Sequence, residues 1–135
     1  MRPRIFYQII VLLAGLLLSQ FRSWAGEANT GRDLYLRYCS SCHGQDGKGD
    51  GSVSPVLKVK VPDLTLLKKN NKGIFPYPRV MSSIDGSRTV RGHGDPAMPV
   101  WGEVFKEELK QEKYRELTTL LKTKLIADYI ATLQR

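Results

Sequence analysis

An all-α fold is predicted for residues 26–135, and three observations predict it. Apolar and aromatic residues recur at helical spacing near both ends of this stretch, at Leu34, Tyr35 and Tyr38 and again at Leu125, Ile126, Tyr129, Ile130 and Leu133. Between them, Cys39-Ser40-Ser41-Cys42-His43 sets two thiols three residues apart and an imidazole four residues after the first. On a helix, positions i, i+3 and i+4 share one face. Third, a chain this short has a limited core, and the hydrophobic content is a modest 41%. Helices in such a chain need a large apolar body to pack around.

The pentapeptide supplies a candidate for that body, because C-x-x-C-H reads as covalent attachment of a c-type haem. Cys39 and Cys42 would bond two vinyl groups along one edge of the ring, and His43 would reach beneath it to the iron. These are the only two cysteines in the chain, so neither a spare thiol nor a second pair exists. Three other readings compete. A dithiol redox motif calls for a preceding strand in a βαβ context, whereas the preceding stretch has helical spacing. A structural zinc site normally draws four ligands from two separated pairs. Here the candidates are Cys39, Cys42, His43 and His93, two of them adjacent. A plain disulfide leaves His43 without a role.

Residues 1–25 are set apart from the domain. Arg2 and Arg4 form a positive start, Ile9 to Leu18 is apolar, and Ser23-Trp24-Ala25 offers small residues at the −3 and −1 positions of a cleavage site. Export with cleavage after Ala25 is expected, leaving 26–135 as one domain. The alternative is an uncleaved membrane anchor, for which the stretch Ile5 to Phe21 stands at the short limit of a span. Cleavage would remove Arg2, Arg4 and Arg22, taking Lys+Arg from 21 to 18 against 13 acidic residues, a formal charge of +5. A basic surface steers towards an acidic partner or an anionic membrane, and it is equally an ordinary route to solubility. Nucleic acid is the weaker choice of partner, since no recognition motif is present.

In chain order, Thr30-Gly31-Arg32-Asp33 resembles a capping box opening a helix that runs to about Ser41, with Gly44 breaking it. Residues 44–62 carry Gly44, Gly47, Gly49, Gly51, Pro55 and Pro62 and are expected to be irregular. The glycine run lacks the Lys-Ser/Thr ending of a phosphate loop. Val56, Val59 and Val61 are expected to pack in short extended form. Pro62-Asp63-Leu64-Thr65 leads into a helical turn capped by Asp63. Lys68, Lys69 and Lys72 form a basic cluster, read as solvated surface or as a docking patch for a redox partner. A short helix is expected from Arg79 to Asp85, ended by Gly86. A longer one is expected from Glu103 to Lys122, and a last one from Thr123 to Leu133.

An iron held by His43 keeps a sixth position open. Met98 lies between Pro96 and Pro99, which stiffen the backbone on either side of it, whereas Met81 falls in the expected short helix. A thioether opposite an imidazole raises the potential and fills the coordination sphere. Met98 is therefore the expected sixth ligand. His93, flanked by Gly92 and Gly94, is the rival.

Together these residues resemble the class I c-type cytochromes, the small bacterial monohaem ones in particular. The resemblance spans about residues 30–134. It rests on Gly31-x-x-Leu34-Tyr35-x-x-Tyr38-Cys39-x-x-Cys42-His43-Gly44, on Pro62-Asp63-Leu64-Thr65, on Met98-Pro99-x-Trp101-Gly102, and on Leu125-x-x-x-Tyr129-Ile130-x-x-Leu133. It implies a cytochrome c fold of three to five helices around one covalently bound haem c. It also implies that the first and last helices cross near Gly31, Tyr35 and Tyr129, and that the Pro62 carbonyl accepts the second ring proton of His43. The function implied is one-electron transfer between redox partner proteins in the periplasm, with no catalysis of its own. The alternatives are a cytochrome subunit of a dehydrogenase or oxidase complex, and a haem enzyme or gas sensor with a labile sixth ligand. Membrane contact would come through partners or an uncleaved N-terminus.

Overall fold

A computed structural model describes residues 30–87 and 100–135. The expected leader (1–25), His93 and Met98 lie outside the described residues. Among those described there are six helical segments and no strand: α1 (30–38), α2 (Ser40–His43), α3 (Leu67–Asn70), α4 (Tyr77–Asp85), α5 (Trp101–Glu108) and α6 (Arg115–Thr132). Single turns of 3-10 helix occupy Ser54–Val56 and Leu64–Leu66. The all-α expectation holds, with one helix more than the three to five expected, because α2 and α3 are one-turn pieces.

α1 and α6 form the frame. At Gly31 a Cβ would stand 2.5 Å from the Leu125 carbonyl oxygen and 3.3 Å from the Tyr129 Cβ. Only a residue without a side chain lets the two backbones approach so closely. Four residues on, Tyr35 is fully buried and its ring lies 5.2 Å from that of Tyr129. This is the crossing that the resemblance implied. Tyr35, Tyr38, Val80, Ile84, Phe105, Ile126, Ala127 and Ile130 make one core, to which α4 and α5 contribute by packing against α6, with Phe105 of α5 also touching Tyr38.

α1 does not run on smoothly to Ser41. The chain turns at Cys39 (φ −118°, ψ −32°) before α2 resumes. The Ser40 hydroxyl donates to the Leu36 carbonyl at 2.5 Å, and such back-bonding to position i−4 bends helices. Thr30 already lies in the described helix, within a residue of its expected place as cap.

The predicted division of the last two helices is corrected. α5 ends at Glu108 and α6 starts at Arg115, so the break falls at 109–114 and not at 122/123. No glycine or proline marks the turn. Packing sets it: Phe105 and Thr119 are both buried and α5 lies against α6, so the chain must reverse between them. Thr123, expected to open a helix, is buried within α6 and donates to the Thr119 carbonyl at 3.0 Å. α4 starts at Tyr77, two residues earlier than expected, because a proline in the first turn needs no amide partner there. Gly86 ends it in the left-handed conformation, as expected.

Candidate cofactor site

The bend at Cys39 decides where the pentapeptide points. Backbone bonds from His43 N–H to the Cys39 carbonyl (2.9 Å) and from Gly44 N–H to Ser40 (2.8 Å) hold α2 as a single tight turn. Cys39, Cys42 and His43 all stand on the wall of one cavity of about 270 Å³. Its other walls come from the stretch after Pro62 (Leu64, Leu67), from α4 (Val80, Ile84), from Trp101 and Tyr38, and from Ile130 of α6. The shared face expected for the three residues is what the structure shows.

His43 is 5% exposed, and its Nδ1 lies 3.4 Å from the Pro62 carbonyl oxygen. That places Pro62 where the resemblance put it, oriented to fix the imidazole. The Pro62 carbonyl is itself held by close packing. Gly49 sits at φ +80°, and a Cβ there would come within 2.6 Å of the Val61 oxygen and 3.2 Å of the Pro62 oxygen. One residue further, the Asp63 carboxylate caps the turn, accepting from Thr65 N–H at 2.9 Å, as expected. Hydrogen bonds from the Thr65 hydroxyl and amide, with Arg135 beside it, hold that carboxyl below its usual range. Arg135 donates to Asp63 at 2.9 Å and Gln134 to the Leu64 carbonyl at 2.8 Å, tying the last residues of the chain to this wall.

Cys39 is mostly enclosed. Burial, and then the neighbouring Cys42, push its thiol up to about 12. Dithiol redox motifs need the reverse, a thiol lowered towards neutrality. With no strand among the described residues, the redox reading loses its context as well. Among the described residues no three His, Cys, Asp or Glu side chains converge to hold a metal ion, and His93, the fourth candidate of the zinc reading, lies outside them.

The cavity has the chemistry of a macrocycle site. Two thiols and one imidazole line an otherwise apolar space, and Arg79 and Ser83, at i and i+4 on α4, bring polar groups to the same wall. A flat apolar ring with carboxylate arms matches those residue types. Nothing in the sequence singled out Arg79 and Ser83, because only the packing of α4 brings them to this wall. Trp101 stands on the wall as well, its ring 5.4 Å from that of Tyr38. Met81, set aside as a ligand, packs against the core and is not part of the wall.

Two expectations about the surroundings divide. Val61 is buried, but Val56 and Val59 are exposed: the 3-10 turn Ser54–Val56 carries them outward, so they do not pack as expected. Lys68, Lys69 and Lys72 are exposed, as both the solvated-surface and the docking-patch readings require. Among the described residues no helix is long and apolar enough to cross a membrane.

Among known proteins, the family described as cytochrome c oxidase, cbb3-type, subunit III matches residues 26–119. No curated protein and no solved structure matches the chain. The match covers most of the chain and contains the whole Cys39–His43 wall together with α4 and α5. Domains of this kind are c-type cytochromes, which carry haem c, transfer electrons and are generally exported. The chain belongs to this family of c-type cytochromes.

Proposed function

We propose that this chain is an exported monohaem electron carrier in which Cys39 and Cys42 hold the haem through thioether bonds, and His43 and Met98 ligate its iron. The observation that carries this is the meeting of Cys39, Cys42 and His43 on one apolar wall, with the imidazole beside the Pro62 carbonyl. Bound haem supplies a one-electron ferric/ferrous couple. The residues do the rest. His43 donates its Nδ1 proton to Pro62, which fixes the tautomer and leaves Nε2 for the metal. Leu64, Leu67, Val80, Ile84 and Ile130 keep water out, which favours the less charged ferrous state. Arg79 and Ser83 would meet the carboxylate arms of the ring, and Met98, set between two prolines in the sequence, would supply a thioether to the iron and keep small ligands out.

The test is spectroscopic. Holoprotein made with the haem-attachment machinery should retain haem through acid–acetone extraction, and Cys39→Ala with Cys42→Ala should release it. Ferric protein should show the far-red sulfur-to-iron charge-transfer band, absent in Met98→Ala and kept in His93→Ala. The reverse pattern would hand the ligand role to His93. Rapid carbon monoxide binding to reduced wild-type protein would point instead to an open-site enzyme or sensor.

A second reading, that the domain works as the cytochrome subunit of an oxidase or dehydrogenase complex, is favoured by the description of the matching family. Purification in mild detergent separates the two. A carrier elutes alone, and a subunit elutes with its enzyme.

A further inference from the structure

Tyr38, the last residue of α1, lines the cavity beside Trp101. It is 7% exposed and stands edge-on to two neighbours, its ring centre 5.4 Å from that of Trp101 and 5.0 Å from that of Phe105. Its hydroxyl reaches past the cavity lining and donates to Glu108 Oε2, at the end of α5, at 2.8 Å. The same oxygen accepts from Lys122 Nζ of α6 at 3.0 Å. Neither Glu108 nor Lys122 lines the cavity. Their side chains are 34% and 19% exposed, so solvent screens this pair less than the ion pairs of the open surface. Lys122 Nζ also lies 5.7 Å from the centre of the Tyr38 ring and 5.1 Å from that of Phe105, and the Arg37 guanidinium lies over Tyr38 at 5.2 Å. One carboxylate oxygen thus ties the end of α1 to α5 and α6.

Filling the wall at this position would need only a phenylalanine. The hydroxyl adds a requirement, because a buried Tyr O–H calls for an acceptor. A carboxylate makes that bond shorter and stronger than a neutral acceptor does. A half-buried carboxylate in turn calls for a counter-charge, which Lys122 supplies. We infer, resting on the reading of this cavity as the haem site, that Glu108 and Lys122 are positioning residues for the bound cofactor. They act through the Tyr38 hydroxyl and hold its ring in the cavity wall. A ring held there keeps water from that side of the cofactor, and exclusion of water favours the less charged ferrous state. Once released, the ring shifts and admits water, and the balance moves towards ferric iron. A tie that only braced three helices would alter the melt and leave this balance where it was.

Redox titration of the holoprotein tests this. Glu108→Gln and Glu108→Leu remove the same charge, so its field at the cofactor is lost from both, and only glutamine keeps an acceptor for the Tyr38 hydroxyl. The reduction equilibrium of Glu108→Leu should lie about threefold or more further towards the ferric form than that of Glu108→Gln, within the range of one net hydrogen bond. In a Tyr38→Phe background the two variants should titrate together. Nuclear magnetic resonance of ring-labelled tyrosine should show the Tyr38 ring turning faster in Glu108→Leu than in Glu108→Gln. Equal potentials for the two variants with Tyr38 present overturn the assignment. So does a gap that persists in Tyr38→Phe, and so does a faster-turning ring with no change in the reduction equilibrium, which would mark a brace between helices. Glu108→Ala takes the place of Glu108→Leu should the latter fail to fold. The variants share their axial ligands, so the comparison stands whichever of Met98 and His93 holds the sixth position. Loss of the haem itself shows separately, in the extraction test.

Discussion

At Tyr35 a single hydroxyl joins the helix crossing to the turn after His43. It donates to the Gly44 carbonyl at 2.7 Å inside the core, and burial, then the nearby Cys39, raise its pKa well above 10.0. A phenol that stays protonated longer in the folded than in the unfolded state stabilises the fold fully below pH 10.0, and this contribution falls as pH rises above that value. Alkaline unfolding should therefore be less steep in Tyr35→Phe. At neutral pH the same variant should lose about 1 kcal/mol, since Gly44 keeps only the longer 3.3 Å bond from Gly47 N–H. Denaturant titrations at pH 7 and above pH 10 check both. Gly49→Ala acts differently. Its new methyl meets the backbone at Val61 and Pro62, pushing the Pro62 carbonyl away from His43. The expected outcome is a changed midpoint potential in redox titration, where a purely local loss of stability would leave the potential unmoved.

Between elements, two junctions set the frame. Gly31→Ala places a Cβ against the Leu125 carbonyl, and forcing α1 from α6 should cost about 1–3 kcal/mol in a thermal or denaturant melt. Gly31→Ser should cost at least as much. The Asp63 turn is sensitive to acid. With its carboxyl held below 3.8 by Thr65 and Arg135, Asp63 stabilises the fold above that pH, and the contribution is lost as pH falls through the lowered value. Asp63→Asn should therefore be less stable than the parent by about 0.5–1 kcal/mol at pH 6, and the gap should close in strong acid. Legibility also divides at the junctions. Gly86 and the Asp63 cap could be read because each acts through local chemistry, whereas the distant contacts of Gly31 and Tyr35 with α6 were implied only by the resemblance. The reversal at 109–114 could not be read, because the packing of Phe105 and Thr119 imposes it and no residue in the turn announces it. The bend at Cys39 was hidden for a similar reason, since Ser40 is equally at home in a straight helix.

For the molecule as a whole, the site was legible in part. Cys39, Cys42 and His43 reveal themselves by spacing, whereas Arg79, Ser83 and Trp101 reach the same wall only through the packing of α4 and α5. That packing leaves a partly open cavity of about 270 Å³ beside the buried core of Tyr35, Phe105 and Ile126, and without an occupant its apolar walls meet water. Small domains have only ~5–15 kcal/mol of stability in total. The double variant Cys39→Ala/Cys42→Ala, made without haem, should accordingly keep helical far-ultraviolet dichroism while losing a cooperative melt. A sharp transition at the parental temperature would count against any need for an occupant in the cavity. The ties from Gln134 and Arg135 to Leu64, Thr65 and Asp63 also bear on time. They join positions about seventy residues apart, so the Pro62 side of the cavity is completed only once residues 134–135 have folded back on it. The pentapeptide needs nothing so distant to form its turn. While the chain folds, the turn that carries Cys39, Cys42 and His43 can therefore form with the Pro62 side of the cavity still open.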